Sequence, residues 1–271
     1  MFQKEVDTIL PAVLDAGATL LKFFKEKNYT VHEKSANNPV TEADFAANKI
    51  LIEAIQANFP DDAILSEEVS DGHSRSEMNQ SRQGNARVWV IDPLDGTKEF
   101  VAGIPHFSVS VGLLVDSQPV LGFIHNPASQ FTIHGGKDTP VTCNREIIKP
   151  RQYQPKDLSE MNICLSRSEF KKGLFSDLLK TVTLKESQVI GSVAYKLGLV
   201  AAGKFDLILS KKPKNEWDIA GGAGIFSALQ YALLDEKSQE IAFNKEDTRS
   251  YGLIGGSPEA IKTYHKFLGT I

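Results

Sequence analysis

Trp89-Val90-Ile91-Asp92-Pro93-Leu94-Asp95-Gly96-Thr97-Lys98-Glu99-Phe100 is the segment on which the reading of this chain turns. An apolar, β-favouring run, Val88 to Ile91, stops at Asp92. Pro93 and Gly96 force a turn, and Asp95 follows Asp92 within it. Two carboxylates crowded onto one turn repel by about 4 kcal/mol at about 4 Å and an effective dielectric of about 20. A hard cation with oxygen ligands removes that cost, and Mg²⁺ is the usual occupant where phosphate is also bound. Gly96 and Thr97 then present backbone N–H groups at the start of a short helix, a natural seat for phosphate. The segment reads as a metal-and-phosphate turn at a strand end.

Upstream of this turn, apolar residues recur at helical spacing from Val6 to Phe24 (Val6, Ile9, Leu10, Val13, Leu14, Leu20, Leu21, Phe24), with Pro11 expected to interrupt or kink the helix. A polar loop, Asn28 to Pro39, leads into a second helix after Thr41, where Thr41-Glu42-Ala43-Asp44 is a capping pattern. Its apolar face is Ala47, Ile50, Leu51, Ala54 and Ile55. Ala63 to Ser66 reads as a strand ending on Glu67-Glu68, and the polar stretch Ser70 to Gln83 as a mobile surface loop. Strands are expected at Val88–Ile91, Phe107–Val115, Val120–Ile124 and Phe131–Ile133, with turns at Gly135-Gly136 and at Pro150 to Pro155.

Downstream, Ile163–Leu165, Gln188–Ile190 and Phe205–Leu209 read as strands. Val193–Ala202, a small-residue segment from Trp217-Asp218, and Pro258 to Leu268 read as helices. A soft boundary near residue 155 divides an N-terminal α+β half, 1–155, from a C-terminal α/β half, 156–271, within one compact unit. Strands and helices alternate without a clean βαβ rhythm, so stacked α and β layers are expected rather than a doubly wound sheet.

A chain of 271 residues buries roughly 70–75% of its unfolded surface and needs no disulfide or structural metal to fold. Net charge is −4, which argues against a nucleic-acid polymer as partner, since that affinity comes from clustered Lys and Arg. Cys143 and Cys164 lack CxxC spacing and fit reduced thiols. Without a signal-like N-terminus or a long apolar run, a cytoplasmic protein with no membrane insertion is expected.

Glu67 closes one strand, Asp92 and Asp95 close another, and Asp218 opens a helix. If these carboxylates meet, two Mg²⁺ ions balance them and can activate water and stabilise a leaving oxygen. Thr97 and Asp44 supply a hydroxyl and a carboxylate able to relay a proton. Each residue also has a plainer reading. Asp92 and Asp95 are turn formers, Glu67 a solvated charge, Asp218 an N-cap, Asp44 the acid of a capping box, and Thr97 a partner to its own turn. The six histidines show no HxxxH or HExxH pairing, and no GxSxG elbow or GxxxxGK[ST] loop is present. Gly221-Gly222-Ala223-Gly224 sits inside a helix and suits close packing better than nucleotide binding.

Taken together, Pro39-Val40-Thr41-Glu42-Ala43-Asp44, Leu65-Ser66-Glu67-Glu68, Asp92 to Thr97, Gly191-Ser192 to Gly203 and Trp217 to Gly221 resemble the inositol monophosphatase superfamily of Mg²⁺-dependent, Li⁺-sensitive phosphatases over nearly the whole chain. The resemblance implies a layered αβαβα sandwich with two or three Mg²⁺ ions held by Glu67, Asp92, the Leu94 carbonyl, Asp95 and Asp218. It further implies that Gly96 and Thr97 amides cradle the phosphate, that Thr97 with Asp44 polarises the attacking water, and that Glu67 helps activate it. Leu94, Asp95, Ser192 and Asp218 are implied substrate contacts, a small phosphorylated molecule is the implied partner, and homodimers are common among relatives.

Lys98-Glu99-Phe100 is similar to the CysQ type, which acts on adenosine 3′,5′-bisphosphate, within sulfur metabolism. A second phosphate then needs a cation: Lys196 is the first candidate and Lys98 the second, Lys196 being otherwise a solvated helix charge. Gly191-Ser192-Val193-Ala194-Tyr195-Lys196 is one residue longer than the usual CysQ form and is similar to members acting on inositol or fructose phosphates. An inositol-1-phosphate phosphatase is therefore the nearer rival, and a phosphate-binding protein without turnover the rival of another class.

Overall fold

The computed structural model describes residues 2–35, 38–68, 82, 84–150, 155, 157–181 and 186–269. The Ser70–Gln83 loop, apart from Arg82, and most of the Pro150–Pro155 turn lie outside the described residues.

Helix α1 (Gln3–Glu26) buries Val6, Ile9, Val13 and Leu20, the predicted stripe, while Leu14 faces outward. Pro11 does not end it. The proline lies on the exposed face, where the carbonyl it leaves unpaired can bond water. The expected polar loop contains a ribbon, β1 (Val31–Ser35) paired antiparallel with β2 (Asn38–Thr41). Helix α2 (Glu42–Asn58) follows at the Thr41 cap.

Next come β3 (Ala63–Ser66), β4 (Arg87–Asp95), a short α3 (Thr97–Val101), β5 (Ser108–Val115), β6 (Gln118–Asn126), β7 (Phe131–Gly136), β8 (Thr139–Cys143) and β9 (Glu146–Ile147). These strands form one sheet in sequence order, with β3 parallel to β4 and the remainder antiparallel. Gly135-Gly136 is not the expected turn but the end of β7. A side chain at Gly136 would begin 2.0 Å from the Val120 carbonyl oxygen, so the glycine serves close strand approach.

The second half contributes β10 (Asn162–Ser166), α4 (Arg167–Lys171), α5 (Ser176–Thr181), β11 (Glu186–Ile190), α6 (Val193–Ala201), β12 (Leu207–Ser210), β13 (Lys214–Asn215), α7 (Glu216–Leu229), β14 (Ala232–Leu234), β15 (Arg249–Ser250), β16 (Leu253–Gly256) and α8 (Pro258–Leu268). A second sheet runs β11-β10-β12-β16-β14, and β13 pairs with β15 as a separate ribbon.

Alternation along β4 sets the layers. Trp89 and Ile91 face α1 and α2, joining Ile9, Leu20, Leu51 and Val111 in one core. Val88 and Val90 face the other way, into a core with Leu197 of α6, Ile219 and Phe226 of α7, and Ile208 of the second sheet. The far side of that sheet (Ile163, Leu165, Leu207) packs on Ala260 and Ile261 of α8. The order helix, sheet, helix, sheet, helix is the expected αβαβα sandwich. Helix α7 lies directly on the large sheet because glycines meet there: a Cβ on Gly122 would stand 1.8 Å from the Gly221 carbonyl oxygen. This is the packing role expected of the Gly221 cluster.

Candidate active site

The decisive local feature is a bulge in β4. Asp92 pairs with Ser110 and Asp95 with Ser108, so one extra residue is accommodated between them. In a regular strand residues i and i+3 point to opposite faces, and the extra residue turns both carboxylates to the same one. Gly96 follows with φ of +97°, and a Cβ there would lie 2.6 Å from the His106 carbonyl oxygen. Only glycine satisfies both demands.

Carboxylate oxygens of Asp92, Asp95 and Asp218 all lie within 4.8 Å of one another. Each side chain is anchored by local structure. Asp92 Oδ1 accepts from the Leu94 amide at 3.0 Å. Asp95 Oδ2 accepts from the Ser192 hydroxyl and the Ala194 amide, both at 2.6 Å, at the start of α6. Asp218 Oδ2 accepts from the Asn215 amide at 2.9 Å, as the N3 acid of a capping box whose N-cap is Asn215. The plainer reading of Asp92 as a turn former holds, that of Asp218 is corrected from the N-cap, which is Asn215, to the N3 acid of the capping box, and both side chains also converge on the cleft.

Glu67 stands outside that triangle but lines the same cleft, half-buried; its amide donates to the Ile91 carbonyl at 2.9 Å, which sets it beside Asp92. The cleft is about 630 Å³, and its wall includes Glu67, Leu94, Thr97, Lys98, Lys214 and Trp217.

Asp44 is buried at the cap of α2. Its Oδ2 accepts from the Thr41 amide and hydroxyl at 2.8 Å each, the expected capping box. Its Oδ1 lies 3.4 Å from the Thr97 hydroxyl, which also stands 3.1 Å from the Leu94 carbonyl. Cap and Thr97 contact therefore coexist in one carboxylate.

Crowding is visible in the titration of these groups. Burial, then the charges of Glu67, Asp95 and Asp218, hold Asp92 well above the usual carboxylate range. Burial carries Asp95 to about 6 despite the Ser192 and Ala194 hydrogen bonds and the Lys196 charge, which pull it down. Asp218 is pushed up to about 8 by burial and by Asp95 and Glu67. Asp44 reaches about 7, burial outweighing its Thr41 hydrogen bonds.

The residues fit a hard divalent cation. Among the described residues Asp92 Oδ2 is buried with no hydrogen-bond partner, and the donors are all oxygen. Such an orphan is explained by a ligand that binds oxygen without a proton.

Two expected residues sit differently from expectation. Lys196 is no solvated helix charge. It is fully buried, donates from Nζ to the Ile190 carbonyl at 3.1 Å, and is absent from the cleft wall. Ser192 is buried as the cap of α6 and holds Asp95. Other contacts had no sequence signal. Glu99, beneath Gly191, pairs with Arg167 at 2.9 Å; Glu169 pairs with Lys214 at 3.1 Å; and Arg82, buried, bonds Asn244 Oδ1 at 2.7 Å and the Lys245 carbonyl. Their partners are distant in sequence, so no local pattern announces them.

An αβαβα sandwich with an acidic cation site at a strand bulge defines a class of metal-dependent phosphatases. The sequence pattern of the inositol monophosphatase family matches residues 3–266, and the chain belongs to that family. It is 30% identical over 251 residues, 90% of its length, to the 3′(2′),5′-bisphosphate nucleotidase CysQ of Haemophilus influenzae, of which 88% is covered. It is 27% identical over 245 residues to inositol monophosphatase 3 of Solanum lycopersicum, with 87% of each chain covered. Among solved structures, the extragenic suppressor protein suhB of Bartonella henselae superposes with a TM-score of 0.81 at 22% identity, over 97% of this chain and 98% of that one. The protein is therefore a phosphatase acting on a small phosphorylated substrate, and none of its described helices is long and apolar enough to cross a membrane.

Proposed function

We propose that this chain is a Mg²⁺-dependent phosphomonoesterase that removes the 3′-phosphate of adenosine 3′,5′-bisphosphate, leaving AMP and phosphate. The observation that carries the reaction class is the Asp92–Asp95–Asp218 triangle with its unpartnered Asp92 oxygen, in the cleft that Thr97 also lines. The substrate rests on Lys98-Glu99-Phe100 and on the similarity to CysQ. Asp92, Asp95, Asp218, Glu67 and the Leu94 carbonyl would hold two or three ions. When bound, Mg²⁺ supplies charge neutralisation and Lewis-acid polarisation of the phosphoryl oxygens.

The remaining work belongs to the chain. The Gly96 and Thr97 amides seat the phosphate at the start of α3. The Thr97 hydroxyl has one proton, and donating it to Asp44 Oδ1 leaves the oxygen free to accept from the attacking water. Glu67 receives that water's proton from the cleft wall. Ser192 and Lys196 act on substrate through Asp95, the first by its hydrogen bond and the second by its charge. A cytoplasmic, Li⁺-sensitive enzyme completes the proposal.

The lengthened Gly191–Lys196 segment and the likeness to inositol monophosphatase 3 favour a second reading, inositol-1-phosphate hydrolysis on the same site. Binding without turnover would leave the Thr97–Asp44 contact without a purpose. Phosphate release from adenosine 3′,5′-bisphosphate, inositol 1-phosphate and fructose 1,6-bisphosphate, with Mg²⁺ and with chelator, decides among the three. Mg²⁺-dependent release with the highest kcat/KM on the nucleotide is expected. A higher value on inositol 1-phosphate overturns the substrate, and no release from any overturns the enzyme.

A further inference from the structure

Glu67, Asp92 and Asp95 stand at the ends of β3 and β4 in the large sheet, whereas Asp218 arrives on the first turn of α7. The body of that helix is set by close packing, since a Cβ on Gly112 would stand 2.6 Å from the Ala220 carbonyl carbon. Its first turn is tied to the same sheet by a long bond, 3.4 Å from the Ser110 hydroxyl to the Trp217 carbonyl.

Residues 244–250 hold that turn from its other side. Glu216, fully buried, accepts from the Asn244 and Lys245 amides at 2.9 Å each. Asn244 has φ of +58°, a left-handed step that aims successive amides at one carboxylate. The Thr248 hydroxyl donates to Asn215 Oδ1 at 3.2 Å, and Asn215 pairs with Arg249 between β13 and β15. Lys245 Nζ closes the segment on itself, donating to the Arg249 carbonyl at 2.7 Å and the Ser250 hydroxyl at 3.0 Å.

Arg82 reaches this segment from between β3 and β4, the strands that bear the other carboxylates. It is fully buried; Nη1 donates to Asn244 Oδ1 at 2.7 Å and Nη2 to the Lys245 carbonyl. It grips the same two residues as Glu216, by their acceptors instead of their amides. A planar guanidinium meets two acceptors on adjacent residues at once, which a lysine ammonium cannot match in geometry.

We propose that Arg82 is a positioning residue for Asp218, acting through Asn244–Lys245 and Glu216 on the first turn of α7. Asn215, the cap of that turn, donates to Asp218 Oδ2 at 2.9 Å, so the path ends on the carboxylate itself. This deepens the phosphatase reading above and rests on its cation site. Partners behind a ligand commonly govern metal affinity, because they fix where the ligand's oxygen stands.

The test titrates wild type, Arg82→Met and Arg82→Lys with Mg²⁺ by calorimetry, in the absence of substrate. In Arg82→Met the Mg²⁺ Kd is expected to rise by roughly tenfold to hundredfold. Arg82→Lys, which keeps the charge and one donor direction, recovers part of that affinity. Phosphate release by Arg82→Met is expected to climb back as Mg²⁺ is raised. Ile261→Ala, in the core between the second sheet and α8, lowers the melting temperature away from this path and leaves the Kd unchanged. Should Arg82→Met fail to fold, Glu216→Gln cuts the same path at its other end, because an amide NH₂ then faces a backbone N–H. A Kd within about twofold of wild type in the variant that folds overturns the proposal, as does an Ile261→Ala Kd that rises as far. A wild type that binds no Mg²⁺ refutes the cation site and the role of Arg82 together. Failure of the phosphatase reading shows separately, as a wild type that binds Mg²⁺ and releases no phosphate.

Discussion

Replacing Asp92 by Asn separates what the acidic triangle costs from what it does. Oxygens within 4.8 Å imply roughly 3.5 kcal/mol of repulsion per ionised pair at an effective dielectric of about 20. Asp92 has two such neighbours, so ionising it beside both without a cation costs on the order of 7 kcal/mol. The metal-free protein keeps protons on these groups, which burial raises first and neighbouring carboxylates raise further.

A carboxyl whose folded pKa exceeds its unfolded one keeps a proton in the folded chain that the unfolded chain has lost. The folded state therefore binds more protons, and stability present at low pH is lost as pH rises through the folded value. For Asp95, moving from 3.8 to about 6, the loss is roughly 3 kcal/mol; for Asp218 the window extends to about pH 8.

In the Asp92→Asn variant the amide oxygen can still accept from the Leu94 amide, so the turn survives while one repelling group disappears. In chelator, the melting temperature of wild type is expected to fall from about pH 5 to about pH 9, and that of the variant to fall less. A gap near 2 kcal/mol at the upper end corresponds to roughly 4–8 °C in a chain of this size. Saturating Mg²⁺ at pH 8 reverses the order: wild type gains about 2.7 kcal/mol at a hundredfold excess over Kd, the variant gains less, and its phosphate release drops by about two orders of magnitude or more. The reasoning is refuted if the two proteins show the same pH dependence in chelator, or if Mg²⁺ stabilises the variant as much as wild type.

Further outcomes follow from the same geometry. Thr97→Ala should lower kcat by roughly 10²–10⁴ with little change in melting temperature, whereas Asp44→Asn should lower both, losing on the order of 1 kcal/mol from the α2 cap; equal thermal effects would separate Asp44 from that cap. Gly96→Ala, forced to φ of +97° and against the His106 carbonyl, should destabilise by about 2 kcal/mol or more in a denaturant titration. Lys196→Met removes a buried charge held by one backbone hydrogen bond. It should preserve stability to within about 1 kcal/mol and tighten Mg²⁺ binding measured by calorimetry, since Asp95 loses a competing cation.

Ser192 and Lys196 show where reading the chain falls short. Both belong to a motif legible in one dimension, yet their roles depend on which way α6 turns them. Ser192 caps the helix and grips Asp95, and Lys196 points into the protein beside Cys164 rather than into the cleft. No local pattern announces that Glu99 pairs with Arg167 and Glu169 with Lys214, because those partners are 68 and 45 residues apart.

By itself the amino-acid order determined the long helices, the central strands and the chemistry of the central turn, but not the β1–β2 ribbon or the reach of β7 through Gly136. Period-2 and period-3.6 apolar patterns follow from backbone geometry, and Asp, Pro and Gly have fixed turn preferences. Tertiary structure alone decided the rest: the bulge that aims Asp92 and Asp95 to one side, the arrival of Asp218 within 4.8 Å, and which cations face the cleft. Those outcomes depend on contacts between strands and helices far apart along the chain, and burial and charge compensation are properties of such contacts rather than of any single segment.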